Sequence, residues 1–507
     1  MSESRPEAQT PADEPPRFAY SFAKEHGLLL LDATGDEAVI GMREGEAERA
    51  LTSLIEARRA AGKPVSFEAL SPKVFERRLS EIYSVEGLSA ATFDNDSGVE
   101  DLSSLAEGLP ETADLLDTED DAPVIRLINA LIAEAVKTRA SDIHVEPYET
   151  ALSIRLRIDG VLREVLSLPQ KMTPVLTSRV KVMARLDIAE KRVPQDGRIS
   201  LAMGGRLVDV RVSTLPSRFG ERIVMRLLDK EHAQLDLDAL GMPEALRERF
   251  KQVIRKPNGV ILVTGPTGSG KTTTLYAALT LLNDPGVNIL TVEDPVEYAL
   301  EGIGQTQVNA KVGMSFATGL RAILRQDPDI VMVGEIRDVE TAQIAVQASL
   351  TGHLVMSTIH TNSAIGAVTR LRDMGVEPFL LSPTIAGVLA QRLVRRLCEH
   401  CKKPHKPDAS EREMLGVTAR DDVTIYGPVG CPACNHTGYE GRVGLYELIV
   451  VNEKIRKLIH DDGSEQDLAE EAFRDAPTLA KAGYDHVLAG RTSIAEVLKV
   501  VQEAEVR

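Results

Sequence analysis

The sequence predicts an α/β protein of several domains, on three observations. Strand-like and helix-like segments alternate from residue 259 to about residue 397, which is typical of βαβ units around a mostly parallel sheet. A phosphate-loop motif stands at the first strand-to-helix junction of this block. Two CxxC pairs, which use all 4 cysteines of the chain, follow the block. At about 150 residues per domain, the 507 residues suggest three or four domains.

Composition and charge narrow the class of protein. Hydrophobic residues make up 43% of the chain, and no apolar run approaches the ~20 residues that span a bilayer, so we expect a soluble globular protein. The Pro- and Glu-rich residues 1–16 lack the apolar core of a secretory signal peptide, which favours a cytoplasmic location. A net charge of −17 and an aromatic content of 4% argue against a nucleic-acid binder, although they do not exclude a local basic groove.

Shifts in composition divide the chain into seven segments. They are a disordered tail at 1–16, a small N-terminal domain at 17–92, an acidic linker at 93–121, an α+β domain at 122–235, the α/β block at 236–397, a cysteine-bearing module at 398–442 and a helical C-terminal region at 443–507. The linker carries eleven acids and no Lys or Arg between residues 94 and 121, which indicates a solvated spacer or an interaction tail.

Local patterns predict elements in the first two domains. The small domain is expected to contain helices at 18–24 and 46–61 and a strand at 27–31. The α+β domain opens with apolar residues at i, i+3 and i+4 spacing from 124 to 136, which predicts an amphipathic helix. The short strands predicted after this helix are at 141–145, 152–158, 160–165, 206–213 and 222–228.

The phosphate loop is the strongest motif of the chain. Residues 265–272 match G-x-x-x-x-G-K-[ST] between a strand at 260–264 and a helix at 272–282, which is the context that the motif needs. Backbone N–H groups of such a loop surround phosphates, Lys271 reaches the β and γ oxygens, and Thr272 can ligate Mg²⁺. The residues expected to bind the nucleoside triphosphate are Gly265, Pro266, Thr267, Gly268, Ser269, Gly270, Lys271, Thr272 and Thr273.

Acidic residues stand at the ends of two later strands. They are Glu293, Asp294 and Glu297 after the strand at 289–292, and Glu335 after the strand at 330–333. Because ligands lie beyond the carboxyl ends of parallel strands, these carboxylates are aimed at the nucleotide. We expect Glu293, Asp294 and Glu335 to hold Mg²⁺ or its water together with Thr272. Either Glu297 or Glu335 would activate the attacking water, and each acid taken alone is also compatible with a surface or capping role.

Two further features qualify this site. Gly334 stands where many phosphate-loop proteins carry a metal-holding Asp, so metal coordination is expected to rest on Thr272, water and either Asp294 or Glu335. His353 and His360 flank a strand at 354–359. Beside a nucleotide, either histidine could sense the γ-phosphate, whereas a lone histidine is more often a buried structural group.

The cysteine pairs Cys398–Cys401 and Cys431–Cys434 predict a structural zinc site. Each CxxC turn presents two thiolates, and two such turns complete the tetrahedral Cys₄ set that Zn²⁺ prefers. A redox role is the lesser interpretation, because two matched pairs on loops are not a thioredoxin context. The histidines nearby, His400, His405 and His436, are expected to be bystanders.

Taken in order, these motifs resemble the secretion ATPase superfamily of type II secretion and type IV pilus systems. The matching stretches are the phosphate loop, EDPVE from 293, QDPDIVMVGEIRD from 326 and TGHLVMSTIHTNSA from 351, with SDIHVEP from 141, RLRIDG from 155 and VDVRVSTLPSRFGERIVMRLL from 208. The resemblance covers about residues 120–500. The opening RFAYSFAKEHGLLL from residue 17 is similar to the N-terminal domain of the type II secretion branch, which favours that branch over pilus assembly.

The resemblance implies a fold and an activity. It implies a RecA-like ATPase core after a PAS-like α+β domain, a tetracysteine zinc module, and a homohexamer that hydrolyses ATP with Mg²⁺ at the cytoplasmic face of the inner membrane. It also implies that Arg211, Arg226, Arg321 and Arg325 close on the γ-phosphate, although each of them is also compatible with a surface ion pair. A nucleic-acid-dependent motor and a nucleotide-gated adaptor without turnover are the alternatives from other classes.

The resemblance implies partners as well. The small N-terminal domain would bind a bitopic inner-membrane protein of the secretion system (GspL-like), and the ring would also meet a platform protein (GspF-like). Contact with the membrane would be peripheral, and no nucleic acid is expected. Motion between the domains would assemble a pseudopilus that pushes proteins across the outer membrane.

Overall fold

The computed structural model describes residues 26–32, 37–43, 64–71, 74, 75, 78, 102, 122–203, 206–229, 236–418, 420–474 and 476–505. The chain forms two compact units that meet in sequence between Lys230 and Glu231, close to the predicted boundary at 235. The predicted tail, the helices at 18–24 and 46–61 and, except for Leu102, the acidic linker lie outside the described residues. The predicted domain boundaries stay predictions.

A small three-stranded sheet is described near the N-terminus. Its strands are β1 (Leu28–Asp32), β2 (Ala38–Arg43) and β3 (Val65–Leu70). Strand β1 pairs antiparallel with β2, and β2 pairs parallel with β3. Leu28, Leu29, Ile40, Leu70 and Phe75 form its buried core.

The rest of the first unit is built on a six-stranded antiparallel sheet. Its elements are α1 (Ala122–Lys137), β4 (Ala140–Pro147), β5 (Ala151–Ile158), β6 (Val161–Pro169), α2 (Thr173–Met183), β7 (Gln195–Met203), β8 (Arg206–Ser217) and β9 (Gly220–Asp229). The strand order is β6-β5-β4-β9-β8-β7. Apolar side chains of alternate positions, such as Ile143, Val145 and Met225, form one core with α1 and α2.

The predicted helix and five predicted strands of this unit are present, with somewhat longer bounds. Strand β7 and helix α2 were not predicted. Strand β7 opens with Gln-Asp-Gly, which reads locally as a turn, and α2 contains five β-branched residues among eleven, which lowers its apparent helix propensity. Pairing of β7 with β8 along its whole length outweighs these local signals.

The second unit is built on a seven-stranded sheet. Its elements up to the cysteine module are α3 (Glu244–Ile254), β10 (Gly259–Thr264), α4 (Lys271–Leu282), β11 (Ile289–Glu293), β12 (Gly304–Gln307), α5 (Phe316–Ile323), β13 (Ile330–Val333), α6 (Val339–Leu350), β14 (Leu354–Ile359), α7 (Ala364–Asp373), α8 (Pro378–Thr384) and β15 (Ile385–Leu397). The strand order is β12-β11-β13-β14-β10-β15-β18. All residues of β10, β13 and β14 are buried, as expected for parallel strands with helices on both faces.

The C-terminal part adds a small sheet, the last strand of the large sheet and further helices. These elements are β16 (Lys403–His405), α9 (Ala409–Leu415), β17 (Ile425–Gly427), β18 (Tyr439–Val450), α10 (Glu453–His460), α11 (Glu465–Ala472), α12 (Leu479–Leu488) and α13 (Ile494–Glu505). Strand β18 pairs antiparallel with β15. The region at 443–507, which was predicted to be helical, therefore begins inside β18. The sequence near β18 gives no local signal for this strand, because its partner β15 lies on the other side of the cysteine module in sequence.

The described part of the chain contains no helix that is both long enough and apolar enough to cross a membrane.

Candidate nucleotide site and cysteine cluster

The phosphate loop joins the central strand β10 to helix α4. Gly268 and Gly270 adopt left-handed conformations with φ of 80° and 86°, which favour glycine. At Gly265 a Cβ atom would lie 2.4 Å from the carbonyl oxygen of Gln391, so the neighbouring strand β15 leaves no room for a side chain. The glycines of the motif are thus required by the backbone path and by close packing.

Lys271 is the first residue of α4, and its side chain lies inside the loop. Its ammonium donates to the carbonyl oxygens of Gly265 at 2.9 Å and Pro266 at 3.0 Å. Burial lowers the pKa of Lys271 to about 8, although the charge of Glu335 works in the opposite direction. The loop thus presents a partly desolvated cation at a helix N-terminus, which is a suitable place for a phosphate.

Glu335 lies two residues beyond the end of β13 and is largely buried. Its carboxylate pairs with the guanidinium of Arg337 and with Nε2 of His360, the latter at 3.2 Å. Burial lowers the pKa of His360, and the charge of Lys271 lowers it further. The structure therefore brings Glu335, His360 and Lys271 into one electrostatic neighbourhood at the carboxyl ends of the central strands.

Glu293 has a different environment. It is the last residue of β11, is 2% exposed and accepts hydrogen bonds from the hydroxyls of Tyr276 and Thr291 and from the amide of Gln305. Burial raises the pKa of Tyr276, and the hydrogen bond to Glu293 raises it further. These contacts favour a structural role for Glu293, and its participation in metal binding stays a prediction.

Asp294 and Glu297 follow Glu293. Asp294 is exposed. The pKa of Arg337 is raised mainly by the hydrogen bond of Arg337 to Glu335, and the negative charge of Asp294 raises it further. The backbone N–H of Glu297 donates to the Tyr276 hydroxyl at 3.2 Å, so Tyr276 connects both the end of β11 and the segment that follows it to α4. The roles predicted for Asp294 and Glu297 on metal and water stay predictions.

Arg392 was missed by sequence reasoning. It is 3% exposed on β15, and its guanidinium donates to the carbonyl oxygens of Asn362 at 2.7 Å and Gln391 at 3.1 Å. Its charge adds to the effect of burial in lowering the pKa of Lys271. A signal was present, because Gln391 and Arg392 are polar residues inside an otherwise apolar stretch of the strand.

The two candidate sensor histidines lie at opposite ends of strand β14. Strand β14 runs parallel to β10, with Leu354 opposite Gly259 and Ile359 opposite Thr264. His360 therefore lies at the edge that carries the phosphate loop, whereas His353 lies at the opposite edge. Nδ1 of His353 is 2.9 Å from the carbonyl oxygen of Ala348, and this position favours the structural role that the sequence left open for it.

The four predicted arginines lie in different places. Arg321 pairs with Glu340 at 2.5 Å, and Arg325 donates to the carbonyl oxygen of Arg321 at 2.9 Å. Arg211 and Arg226 belong to the first unit, where they are opposite each other on neighbouring strands. The approach of all four to the γ-phosphate stays a prediction.

The four cysteines converge as the spacing predicts. Their sulfurs lie within 4.8 Å of one another, and the pairs Cys398–Cys431, Cys401–Cys434 and Cys431–Cys434 are separated by 3.9, 3.8 and 3.8 Å. Sulfurs at about 2.3 Å from a tetrahedral Zn²⁺ are about 3.8 Å apart, so the set fits zinc.

Backbone N–H groups favour the charged form of one member of this cluster, Cys434, whereas burial raises the pKa of Cys398 and Cys401. Gly430 donates to Cys401, and Cys431 and Gly438 donate to Cys434. Burial alone would raise the pKa of Cys434, but these hydrogen bonds lower it to about 6. A thiolate is the form that binds zinc.

Comparison with known proteins decides the family. The family model described as "Type II/IV secretion system protein" matches residues 117–499, and a second model, described for a domain of "GSPII protein E", matches residues 17–83. Type II secretion system protein E of Pseudomonas aeruginosa is 55% identical over 504 residues, which are 99% of this chain and 100% of that protein. The chain belongs to the type II secretion system protein E family. The predicted superfamily and its type II secretion branch are confirmed.

Other relatives agree with this assignment. The protein named "Type II secretion system ATPase E" of Vibrio cholerae is 56% identical over 490 residues, 96% of this chain and 97% of that protein. Among solved structures, the pilus retraction motor PilT with bound ADP is 27% identical, with a TM-score of 0.50 over 73% of this chain and 95% of that one. The ATPase DotB of Legionella pneumophila, 20% identical with a TM-score of 0.56 over 75% and 96%, shares the fold. The predicted fold class is confirmed.

Proposed function

We propose that this chain is an ATPase that powers type II protein secretion. The observation that carries the proposal is the phosphate loop of the large sheet, with the buried Lys271 beside Glu335 and His360 at the carboxyl ends of the strands. Family membership supports it, because relatives over nearly the full length are named for type II secretion and one is named an ATPase.

The residues of the site divide the chemistry among them. The Lys271 ammonium has two carbonyl partners within the loop and moves to β- and γ-phosphoryl oxygens when ATP occupies it. Glu335 positions and activates the attacking water, while Arg337 and His360 hold its carboxylate in place. Thr272, at the start of α4, and the carboxylates of Glu335 and Asp294 are the oxygen donors that would hold Mg²⁺. When bound, Mg²⁺ neutralises charge on the phosphates.

The absence of a carboxylate at position 334 fits the role proposed for Glu335. A Cβ on Gly334 would lie 3.3 Å from the ring of Phe316 and 3.4 Å from the carbonyl oxygen of Val292. An Asp side chain would crowd this position, so the neighbouring Glu335 supplies the negative charge instead.

We infer the assembly from family resemblance. The chain works as a homohexamer in the cytoplasm, in peripheral contact with the inner membrane through a GspL-like bitopic protein and a GspF-like platform protein. Arg211, Arg226, Arg321 and Arg325 complete the ATP site in the ring. The cysteine cluster holds structural Zn²⁺, which the sulfur spacing supports.

Lys271→Ala tests the function directly. In the full chain this substitution should reduce ATP hydrolysis by roughly 100-fold or more and abolish secretion in cells that depend on the chain. Lys457→Ala, which changes an exposed lysine of α10, is the matched control and should retain both activities. Hydrolysis that survives Lys271→Ala would contradict the site. Hydrolysis that depends on Lys271 while secretion does not would contradict the coupling.

A capture experiment tests the partners. The full chain is used as bait on detergent-solubilised membranes, with a variant that lacks residues 17–92 as the control. Recovery of a bitopic inner-membrane secretion protein by the full chain alone supports the proposal. Recovery of pilus platform proteins would move the assignment to pilus assembly, and ATPase activity stimulated by DNA or RNA would move it to a nucleic-acid motor.

A further inference from the structure

A buried carboxylate on β18 joins two helices of the second unit. Glu447 is 4% exposed. One of its oxygens accepts from the backbone N–H of Ala364 at 3.1 Å, and the other accepts from the backbone N–H of Leu479 at 3.0 Å. Ala364 is the first residue of α7 and Leu479 is the first residue of α12, so two helices that are distant in sequence begin at the same side chain.

Glu447 completes the N-terminal cap of each helix. The first N–H groups of a helix have no partner within it. The hydroxyl of Ser363 accepts from the N–H of Gly366 in α7, and the hydroxyl of Thr478 accepts from the N–H of Lys481 in α12, so each local cap leaves the first N–H of its helix to Glu447. A carboxylate suits this place, because it offers two acceptor oxygens and a negative charge to the positive ends of two helix dipoles.

These contacts compensate the carboxylate for its burial. Burial raises the pKa of Glu447, while the N–H groups of Ala364 and Leu479 and the charge of Arg392 act in the opposite direction. A buried polar group that loses its partner stays unsatisfied, because water does not replace the partner. The carboxylate therefore favours the arrangement in which both helices keep their first residues in contact with it.

A short segment connects the start of α7 to the nucleotide site. Residues 360–363 alone separate the end of β14 from α7. The N–H of Thr361 donates at 3.0 Å to the hydroxyl of Thr264, which directly precedes the phosphate loop, and the carbonyl oxygen of Asn362 accepts from Arg392 at 2.7 Å. A packed segment that is this short and is held at both ends cannot absorb a shift of α7 without moving itself.

The same segment carries His360. Nε2 of His360 lies 3.2 Å from the carboxylate of Glu335, which is otherwise paired with Arg337. Because such polar contacts are made at about 2.7–3.2 Å, a displacement of about 1 Å would break this one. The position at which α7 begins therefore determines whether His360 reaches Glu335.

We propose that Glu447 is a positioning residue for ATP hydrolysis, which fixes the start of α7 against α12 and thereby keeps His360 in contact with Glu335. The inference rests on the proposed function, since it assumes that Glu335 activates the attacking water. Glu447 does not touch ATP in this account and acts through the 360–363 segment. It also makes the nucleotide site depend on α12, a helix of the C-terminal region.

The test is Glu447→Gln in the full chain. An amide accepts only through its oxygen, so one of the two N–H groups then faces an NH₂ group instead of an acceptor. We expect kcat for ATP hydrolysis to fall roughly tenfold, with KM for ATP changed less than about twofold because the phosphate loop is untouched. Thermal unfolding is measured on the same samples, and kcat is compared at a temperature where each variant is folded.

Glu496→Gln is the matched control. Glu496 is a buried carboxylate of α13 in the same unit, and it accepts from the guanidinium of Arg395 at 2.7 and 3.0 Å. Its loss should lower the temperature of unfolding, but kcat should stay within about twofold of the parent chain, because Glu496 has no contact with α7. Glu447→Asp keeps two acceptor oxygens on a shorter side chain, so its kcat should lie between those of the parent chain and Glu447→Gln. It replaces Glu447→Gln in every comparison if Glu447→Gln does not fold.

A double-mutant cycle separates positioning from a general loss of structure. His360→Ala should lower kcat, and in that background Glu447→Gln should have almost no further effect, because the group through which it acts is gone. An equal fold-loss in both backgrounds, an equal loss in Glu496→Gln, or unchanged kcat in either Glu447→Gln or His360→Ala would each overturn the inference. Failure of the proposed function is recognised separately, by hydrolysis that survives Lys271→Ala.

Discussion

The two large sheets of this chain carry their functional residues in different ways. In the seven-stranded sheet, parallel strands such as β10 and β13 are buried on both faces, and the polar residues follow the strand ends in continuous stretches of sequence. In the six-stranded antiparallel sheet, one face is apolar and the other bears charges such as Asp142 and Arg226, one from each strand. In the large sheet the functional residues are therefore close together in sequence, whereas in the six-stranded sheet the charged residues are brought together only by the pairing of strands.

This difference decides how strongly each residue affects the reaction. A strand-end group in the parallel part of the large sheet would lie beside a nucleotide bound at the phosphate loop and would act on it directly. A charged group on the antiparallel sheet lies among charged neighbours, such as Arg211 opposite Arg226, and these neighbours would share its electrostatic effect on an anion. We therefore expect single substitutions at the strand ends of the large sheet to reduce ATP hydrolysis more than single substitutions among the charged residues of the six-stranded sheet.

The largest expected effect is that of Glu335→Gln. Loss of the carboxylate should reduce kcat by roughly 100- to 1,000-fold, while ATP binding is retained because Lys271 and the loop are unchanged. Steady-state hydrolysis and nucleotide binding are measured together, with Glu297→Gln as the comparison. A greater loss in Glu297→Gln would assign the attacking water to Glu297.

A row of opposed arginines on the six-stranded sheet, Arg226 of β9, Arg211 of β8 and Arg198 of β7, gives the next effect. Arg211→Gln should reduce kcat by roughly 30-fold, which is less than a lone phosphate-binding arginine would give because several arginines share the charge. Arg198→Gln, one strand further out in the row, should stay within about twofold of the parent chain. Equal losses at both positions would mean that the whole row meets the anion and would remove the distinction between Arg211 and its neighbour.

A third effect depends on pH. Because burial lowers the pKa of Lys271 to about 8, its charged form declines as pH rises through that value. Affinity for ATP should therefore fall about tenfold between pH 7 and pH 9, since the phosphates need the ammonium. Binding measured in Lys271→Arg provides the control, because a guanidinium stays charged over this range. A parent chain with pH-independent affinity would contradict the assigned contact.

The smallest effect on hydrolysis is expected for Cys431→Ser. The cluster lies outside both large sheets, so kcat at low temperature should stay within about twofold. Zinc content should fall, and the midpoint of thermal unfolding should drop by several degrees, because structural zinc stabilises the fold that binds it. Metal analysis and calorimetry check this, and a zinc-free variant with unchanged unfolding would contradict a structural role.

The same contrast explains what the sequence could predict. The phosphate loop, the acids after β11 and β13 and the cysteine pairs are contiguous motifs, so they could be identified before the structure. Strand β18, the burial of Arg392 beside the loop and the pairing of Asp142 with Arg226 depend on contacts between distant segments. His353 and His360 look equivalent in sequence, and only the direction of β14 places them at opposite edges.

The position of the cysteine cluster has a consequence for the order of folding. Cys398 directly follows β15, its N–H donates to the carbonyl oxygen of Gly438 at 2.9 Å, and β18 begins at the next residue, Tyr439. Metal uptake by the four thiolates would close the long loop between the two strands in advance and remove much of the entropy lost when distant segments meet. Metal bound at the cluster would then help to set the register between β15 and β18 and would speed completion of the large sheet.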